Sequence, residues 1–345
     1  GHPTGGNAMT KPALQELDAE TQIFTPPYVA KYLAQNSIGR LWAHSKPTSS
    51  ITDNFGWYVT STNPPNLAKV ASPEEIRVLD PACGTGNLLV AAFDVLYDIY
   101  KDAGYKEAGI PARILTHNLY GYDIDVQAVE AAKAILTAKA HEKNTHFFRH
   151  GVTPNIRVLT RADYTESHAA DLFGDTSELP DPGLFGTLIR DLDTSKYHVV
   201  IANPPYMGSK HFTKPMSAFA KANYPDSARD LGAMFHQRGL EMLVPGGMIA
   251  YINMQSWMFL SSFQKMREEM LDSTHIVTMA HLGNGVFGPG AVISTTAWVQ
   301  TNLRADIPGV YFRLVDSKSK QRDLQLQILT HRGEHSPDFQ KGLVA

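Results

Sequence analysis

Two short segments of this chain carry residue types at spacings suited to chemistry. Asp80-Pro-Ala-Cys-Gly-Thr-Gly-Asn-Leu-Leu89 closes one apolar run with a double-glycine turn, and Ala202-Asn203-Pro204-Pro205-Tyr206 closes another. Gly84 and Gly86 permit a turn too tight for a Cβ, so main chain can approach a nucleoside cofactor. Asn203, Pro204, Pro205 and Tyr206 present a side-chain amide, a carbonyl and an aromatic face to a planar amine. An exocyclic aromatic amine is a poor nucleophile because its lone pair is delocalised into the ring. Acceptors at the Asn203 side-chain oxygen and the Pro204 carbonyl counter that delocalisation by drawing both amine hydrogens toward them. The chemistry that joins the two segments is methyl transfer from S-adenosylmethionine to an amino nitrogen. Its sulfonium leaving group already makes the methyl electrophilic, so positioning and preorganised acceptors carry the rate, with no metal required.

Context separates these motifs from look-alikes. Asn63-Pro64-Pro65-Asn66 repeats the tripeptide in a Ser/Thr/Pro-rich stretch with no strand before it, and reads as a turn. His198-Val-Val-Ile-Ala202, by contrast, has the β-branched apolar character of a buried parallel strand, which the proline pair must end. Pro204 also holds Asn203 extended, fixing where its amide points. On the cofactor side Asp80, Ala82, Gly84 and Gly86 are expected to face the ligand, with Thr85 or Asn87 capping the next helix. A dinucleotide fingerprint would need a third glycine where Leu89 stands, which argues against nicotinamide or flavin. Tyr122-Asp123-Ile124-Asp125 ends a second strand. Asp123 is placed to accept both ribose hydroxyls, Ile124 to pack on adenine, and Asp125 to cap the following helix. Asp163 is a candidate acceptor for the cofactor's adenine amine.

Tyr206 supplies a stacking face worth ~1–3 kcal/mol per base, and a base inside a duplex must first be rotated out of the stack. Residues 207–215 would then lie over the pocket mouth, with Lys210 and Lys214 as DNA-contact candidates and Lys221 and His211 nearby. Trp257 and Phe259 are candidates for the pocket wall or the core. His141 and His146 are five apart and diverge on a helix, so no metal site is expected, and no Gly-x-Ser-x-Gly elbow occurs. Cys83 reads as a small buried residue.

The elements that must position these residues follow from the pattern. Strands are expected near 76–80, 118–122, 156–160, 197–202, 247–252, 275–281 and 293–300, with helices near 87–102, 125–140, 229–243 and 256–271. Their alternation implies a parallel sheet covered on both faces. The last two strands are joined by Gly283-Asn-Gly-Val-Phe-Gly-Pro-Gly290, too short for a crossover helix, so that pair must be antiparallel. The expected fold is therefore α/β, a Rossmann-like class I methyltransferase with a mostly parallel seven-stranded sheet and one antiparallel terminal hairpin. Ahead of it, Thr25 is expected to cap a helix entered at Pro26 and running from Tyr28 to Trp42, which Gly39 would break in two. Residues 43–75 read as a long connection.

At 345 residues, 43% hydrophobic and with net charge −3, the chain is globular and not uniformly basic, so any polyanion site must be local. It has neither a secretory signal nor a run approaching the ~20 apolar residues of a membrane span, and its single cysteine suits a reducing, cytoplasmic setting. Residues 1–9 read as an expression scar, 10–75 as a helical segment and linker, 76–302 as the methyltransferase domain, and 303–345 as the start of a truncated C-terminal extension.

Phe24-Thr-Pro-Pro27, Asp80-Pro-Ala-Cys-Gly-Thr-Gly86, Tyr122-Asp123 and Asn203-Pro-Pro-Tyr206 stand in an order that resembles the gamma class of N6-adenine DNA methyltransferases. Gln22-Ile-Phe-Thr25, Asn36-Ser-Ile-Gly-Arg-Leu-Trp42, Tyr224-Pro-Asp-Ser227 and Met254-Gln-Ser-Trp-Met-Phe-Leu-Ser-Ser262 look like the PglX methyltransferases of BREX phage-defence systems, over residues 20–302. The resemblance implies adenine methylation in double-stranded DNA that marks host DNA as self, with other defence-system proteins as partners. It also implies cofactor contacts from Phe24, Thr25 and Pro26. Family members are much longer, with a target-recognition region after the catalytic part. Methylation of a protein glutamine or an RNA guanine amine, and a non-catalytic cofactor- or DNA-binding module, remain as alternatives.

Overall fold

The computed structural model describes residues 24–61, 65–159, 196–288 and 293–333. The chain enters through α1 (Pro27–Ala34), a π-helical stretch over Gln35–Gly39 and α2 (Arg40–Ser45), one continuous rod. Two expectations change here. Pro26, not Thr25, is the N-cap, and Thr25 makes no capping bond. A residue before proline is driven out of the α region, so Pro26 (φ −59°, ψ 144°) stays extended and the helix starts at Pro27. Gly39 does not break the helix. A Cβ there would stand 2.8 Å from the Phe55 ring, so this glycine admits a close aromatic contact. The connection that follows is packed rather than free, with Ile51, Phe55, Trp57, Tyr58, Val59, Leu67 and Val70 buried.

The sheet is formed by β1 (Val78–Asp80), then α3 (Asn87–Asp102), α4 (Ile110–Arg113), β2 (Leu119–Asp123), α5 (Val126–Lys143), β3 (Asn155–Val158) and β4 (Tyr197–Ala202). It continues through α6 (Lys214–Asn223), α7 (Leu231–Glu241), β5 (Leu243–Met254), α8 (Gln264–Ser273), β6 (His275–Gly283), β7 (Thr295–Thr301), β8 (Val310–Arg313) and α9 (Lys320–His331). All seven anticipated strands are present, but the sheet has eight, ordered β3-β2-β1-β4-β5-β7-β6-β8. The eighth lies at 310–313, overlapping residues 311–315 whose pattern also allows a strand, and is held parallel to β6 at the sheet edge by long-range pairing. Only β7 runs against its neighbours, inserted between β5 and β6.

Because the strands are buried on both faces, alternate residues feed two cores. Val78, Val199, Ile201, Met248, Ala250 and Ile252 face a cluster with Tyr32, Leu33, Phe93 and Leu96 of α1 and α3. Leu79, Val200, Ala202, Ile249 and Tyr251 face the other, with Met234 and Phe235 of α7 and the tryptophans Trp257 and Trp298. The helix expected near 256–271 begins only at Gln264, and residues 255–263 form two short 3-10 turns instead. Among the described residues no helix is long and apolar enough to cross a membrane.

Candidate active site

The turn after β1 is built as its glycines require. Gly84 (φ 51°) and Gly86 (φ 88°) both occupy the left-handed region. A Cβ on Gly86 would stand 3.2 Å from Cβ of Ala132, so this glycine also lets α3 and α5 approach closely. Gly86 itself is the helix cap, and neither Thr85 nor Asn87 caps α3. With positive φ the backbone already turns into the helix there, and Asn87 is drawn in as its first residue.

Two carboxylates flank the turn. Asp80 is 1% exposed, and its Oδ1 accepts from Ala82 N at 3.2 Å. Asp123 accepts from Gly84 N at 2.8 Å through Oδ2 and from Asp125 N at 3.0 Å through Oδ1, so the end of β2 clasps the turn after β1. Burial pushes both carboxyls up from their ordinary value, only partly offset by these amide donors, and Asp123 adds to the rise at Asp80. Asp125 caps α5 as expected, accepting from Gln127 N at 2.8 Å. Ala82 and Ile124 are half-buried beside them. Cys83 is buried, and its thiol is pushed up by burial and the two carboxylates, as suits an inert packing residue.

The second half lies at the carboxyl end of β4, which pairs parallel with β1. There the Tyr206 hydroxyl donates to Asn203 Oδ1 at 2.7 Å and approaches the Ile252 carbonyl at 3.5 Å. Burial and the charge of Asp230 hold that hydroxyl well above its ordinary pKa, so it remains a donor. A carbonyl-type oxygen has two lone pairs, and the tyrosine bond therefore does not exclude an amine donor at Asn203. The ring of Phe287 stands 6.1 Å from that of Tyr206, with 50° between their planes. β1, β2 and β4 are neighbours and parallel, so the glycine turn, the Asp123 carboxylate and the Asn203 tetrapeptide all open at one carboxyl edge. That edge is where open α/β sheets bind ligands.

The remaining candidates are less gathered. Phe24 is 60% exposed, Thr25 is buried and Pro26 half-buried at the head of α1, which packs on α3. Lys210 and Lys214 are exposed, the first in a 3-10 turn and the second opening α6 behind its Thr213 cap. Trp257 is core, 4.8 Å ring to ring from Trp298, whereas Phe259 is 58% exposed. Asp163 lies outside the described residues.

Sequence reasoning missed two site residues. Asp230 caps α7 by accepting from Ala233 N, and its pKa is pushed up to about 6 by burial. Around it Leu231 N donates to Met207 O and Ser209 N to Arg229 O, stitching the segment after Tyr206 onto the head of α7. An Asp before an apolar helical run is a cap signal in sequence, but its proximity to Tyr206 is not local. Phe287 was visible only as one aromatic in a glycine-rich loop.

An eight-stranded sheet in this order, with a glycine turn after β1, an aspartate after β2 and a proline-terminated β4, defines the class I methyltransferase fold. A solved structure of the same fold is the Type ISP restriction-modification enzyme LlaGI, a nuclease-deletion mutant in complex with a DNA substrate mimic. It aligns over 91% of this chain and 26% of that one, with TM-score 0.60 and 18% identity. Residues 117–287 match the Eco57I restriction-modification methylase family. Over 95% of its length the chain is 31% identical to the adenine-specific methyltransferase BrxX of Escherichia coli O9:H4 (strain HS), of which it spans 34%. Over 90% it is 29% identical to the adenine-specific methyltransferase PglX of Lacticaseibacillus casei (strain Zhang), spanning 32% of it. The chain is thus a homologue of the adenine-specific methyltransferases BrxX and PglX, as its motifs suggested, and covers about a third of their length.

Proposed function

We propose that this chain carries the catalytic centre of a DNA methyltransferase that transfers a methyl group from S-adenosylmethionine to N6 of an extruded adenine, within a phage-defence or restriction-modification system. The observation that carries the reading is the shared edge. The Asp123-braced glycine turn and the Tyr206-braced Asn203 amide stand at the carboxyl ends of adjacent parallel strands.

The residues suit the cofactor. A Cβ placed on Gly84 would meet nothing within 4 Å, so there is open space over the turn, and the raised carboxyl of Asp123 beside it is an acceptor that sugar hydroxyls would satisfy. Asp80, Ala82, Gly84, Gly86, Asp123 and Ile124 would hold the nucleoside, with Phe24, Thr25, Pro26 and Asp163 as further contacts. When bound, the cofactor supplies an electrophilic methyl whose sulfonium departs as a neutral thioether.

The protein's own part is to hold the acceptor amine. Asn203 Oδ1 and the Pro204 carbonyl accept its two hydrogens, favouring a pyramidal nitrogen with its lone pair directed outward. Tyr206 keeps the amide oriented through its hydroxyl and offers its ring to the base, with Phe287 as the second aromatic wall. Pro204 and Pro205 stiffen the tetrapeptide, so little reorganisation is needed as charge develops. One amine proton is released to solvent once the new bond has formed. Lys210 and Lys214 would meet phosphates of the duplex.

Incubation with labelled cofactor and double-stranded DNA tests the reading. Label in N6-methyladenine, lost in Asn203→Ala, is expected. Label in cytosine, in ribosomal RNA or only in protein overturns it, as does defence unaffected by loss of all modification in Asn203→Ala.

A further inference from the structure

Phe287, the second aromatic wall beside Tyr206, stands in a connection that does little by itself to hold it. Gly283-Asn-Gly-Val-Phe-Gly-Pro-Gly290 carries four glycines in eight residues. Gly285 and Gly288 lie on either side of the phenylalanine at φ 83° and 95°, and a Cβ on either would meet nothing within 4 Å. Glycine loses more conformational freedom on ordering than any other residue. A ring that stacks on a base must nevertheless be in place before the base arrives. Val286, 7% exposed, fixes one point of the connection in the core. The rest of the constraint has to come from the ends.

Both ends are tied to one residue. Gln255, directly after β5, donates from its main-chain N to Ser294 O at 2.9 Å, just ahead of β7. Its side-chain Oε1 meets His281 Nε2 at 2.6 Å, near the end of β6. An amide oxygen only accepts, so the imidazole donates. The sheet runs β5-β7-β6, so this side chain reaches across β7 to take hold of the strand beyond it. His281 is a firm post: it pairs with Thr296 of β7 and Arg313 of β8, and its carbonyl accepts from Leu314 N at 2.8 Å. The Ser294 hydroxyl is hydrogen-bonded in turn to the Asn284 side chain, so the two ends of the connection are bound to each other as well as to Gln255.

The same connection brings the Phe287 ring to 6.1 Å from that of Tyr206, whose hydroxyl meets Asn203 Oδ1. The methyl-transfer chemistry above uses neither Gln255 nor His281. We infer that Gln255 is a positioning residue for the transfer: its hydrogen bonds to His281 and Ser294 close the 283–294 connection so that Phe287 faces Tyr206 across the extruded base. This rests on the DNA-methylating reading, in which that pair of rings holds the adenine. The entropy of ordering a glycine-rich connection is then lost once, when the protein folds, and not again with each base that binds.

The test compares, in the full chain, Gln255→Met, which keeps the side-chain length and the main-chain N–H but loses the acceptor, with Gln255→Glu, which keeps an acceptor for His281. Single-turnover transfer of labelled methyl from S-adenosylmethionine to unmodified double-stranded DNA should fall about fivefold in Gln255→Met, the effect of one neutral hydrogen bond, and recover most of the way in Gln255→Glu. Cofactor affinity, read by calorimetric titration, should stay at the wild-type value in both. The decisive arm adds Gln255→Met to Phe287→Ala: a residue that acts through the ring causes no further loss once the ring is gone. In the free protein, hydrogen exchange of the 283–288 amides should quicken in Gln255→Met while the melting temperature stays near wild type. Wild-type transfer in Gln255→Met, equal loss in Gln255→Met and Gln255→Glu, the same further loss beside Phe287→Ala, or unchanged exchange overturns the inference. A wild type that labels no adenine overturns the DNA reading instead, and the exchange result still decides whether Gln255 closes the connection.

Discussion

The hydroxyl of Tyr206 is the most informative single atom to remove, because the ring and the hydroxyl have separate duties. Tyr206→Phe deletes the 2.7 Å bond to Asn203 Oδ1 and the longer contact with the Ile252 carbonyl, and leaves the aromatic face in place. A neutral hydrogen bond contributes about 1 kcal/mol net. If it serves to orient the amide in the transition state, its loss costs roughly fivefold in rate. Tyr206→Ala removes the ring as well, worth ~1–3 kcal/mol of stacking, for a further factor of about ten to a hundred. Single-turnover methyl transfer, with DNA and cofactor affinities measured separately, distinguishes the two effects. Tyr206→Phe should lower the rate constant and leave both affinities near wild type, and Tyr206→Ala should also weaken binding of the extruded base. Because burial and Asp230 keep the hydroxyl protonated far above its ordinary range, the wild-type to Tyr206→Phe ratio should stay flat up to about pH 9. A phenylalanine variant indistinguishable from wild type, or one as impaired as alanine, would refute the orienting role.

Asp123→Ala removes the acceptor for Gly84 N and Asp125 N, so cofactor affinity should fall by ten-fold or more at roughly 1.5–3 kcal/mol per charged hydrogen bond, read by calorimetric titration. Gly86→Ala places a Cβ at positive φ and 3.2 Å from Ala132, and should destabilise the protein by about 1–3 kcal/mol in denaturant unfolding. His236 is buried against Gln300, and burial lowers its pKa from 6.5 to about 4. The unfolded state therefore takes up a proton first, and the stability of the neutral form declines as pH falls from 6.5 toward 4, by at most about 3 kcal/mol. His236→Gln should abolish that part of the acid sensitivity, measured as the difference between the unfolding free energies of the two proteins across that pH interval.

The parallel sheet was legible from β-branched runs and their spacing, and the antiparallel insertion from a glycine-rich connection too short for a helix. The double-glycine turn at Gly84 and Gly86 and the Asp125 cap were legible because their geometry is local. The helix start at Pro27 was misplaced by one residue because two prolines compete for the first position and steric exclusion before a proline decides between them. The expected helix over 256–271 was shortened because a buried tryptophan and the Arg267 guanidinium impose turns on 255–263 that periodicity does not record.

Sequence by itself determined which residue types meet at the sheet's carboxyl edge: the chemistry of Asp80, Gly84, Gly86, Asp123 and the Asn203-Pro-Pro-Tyr206 tetrapeptide is carried in short contiguous segments. Only the tertiary structure decided how those segments are held. The Asp123 clasp on Gly84 spans 39 residues, and Phe287 reaches Tyr206 from another strand connection entirely. Contacts of that kind depend on strand order and on which face each side chain is given, and no local preference encodes either.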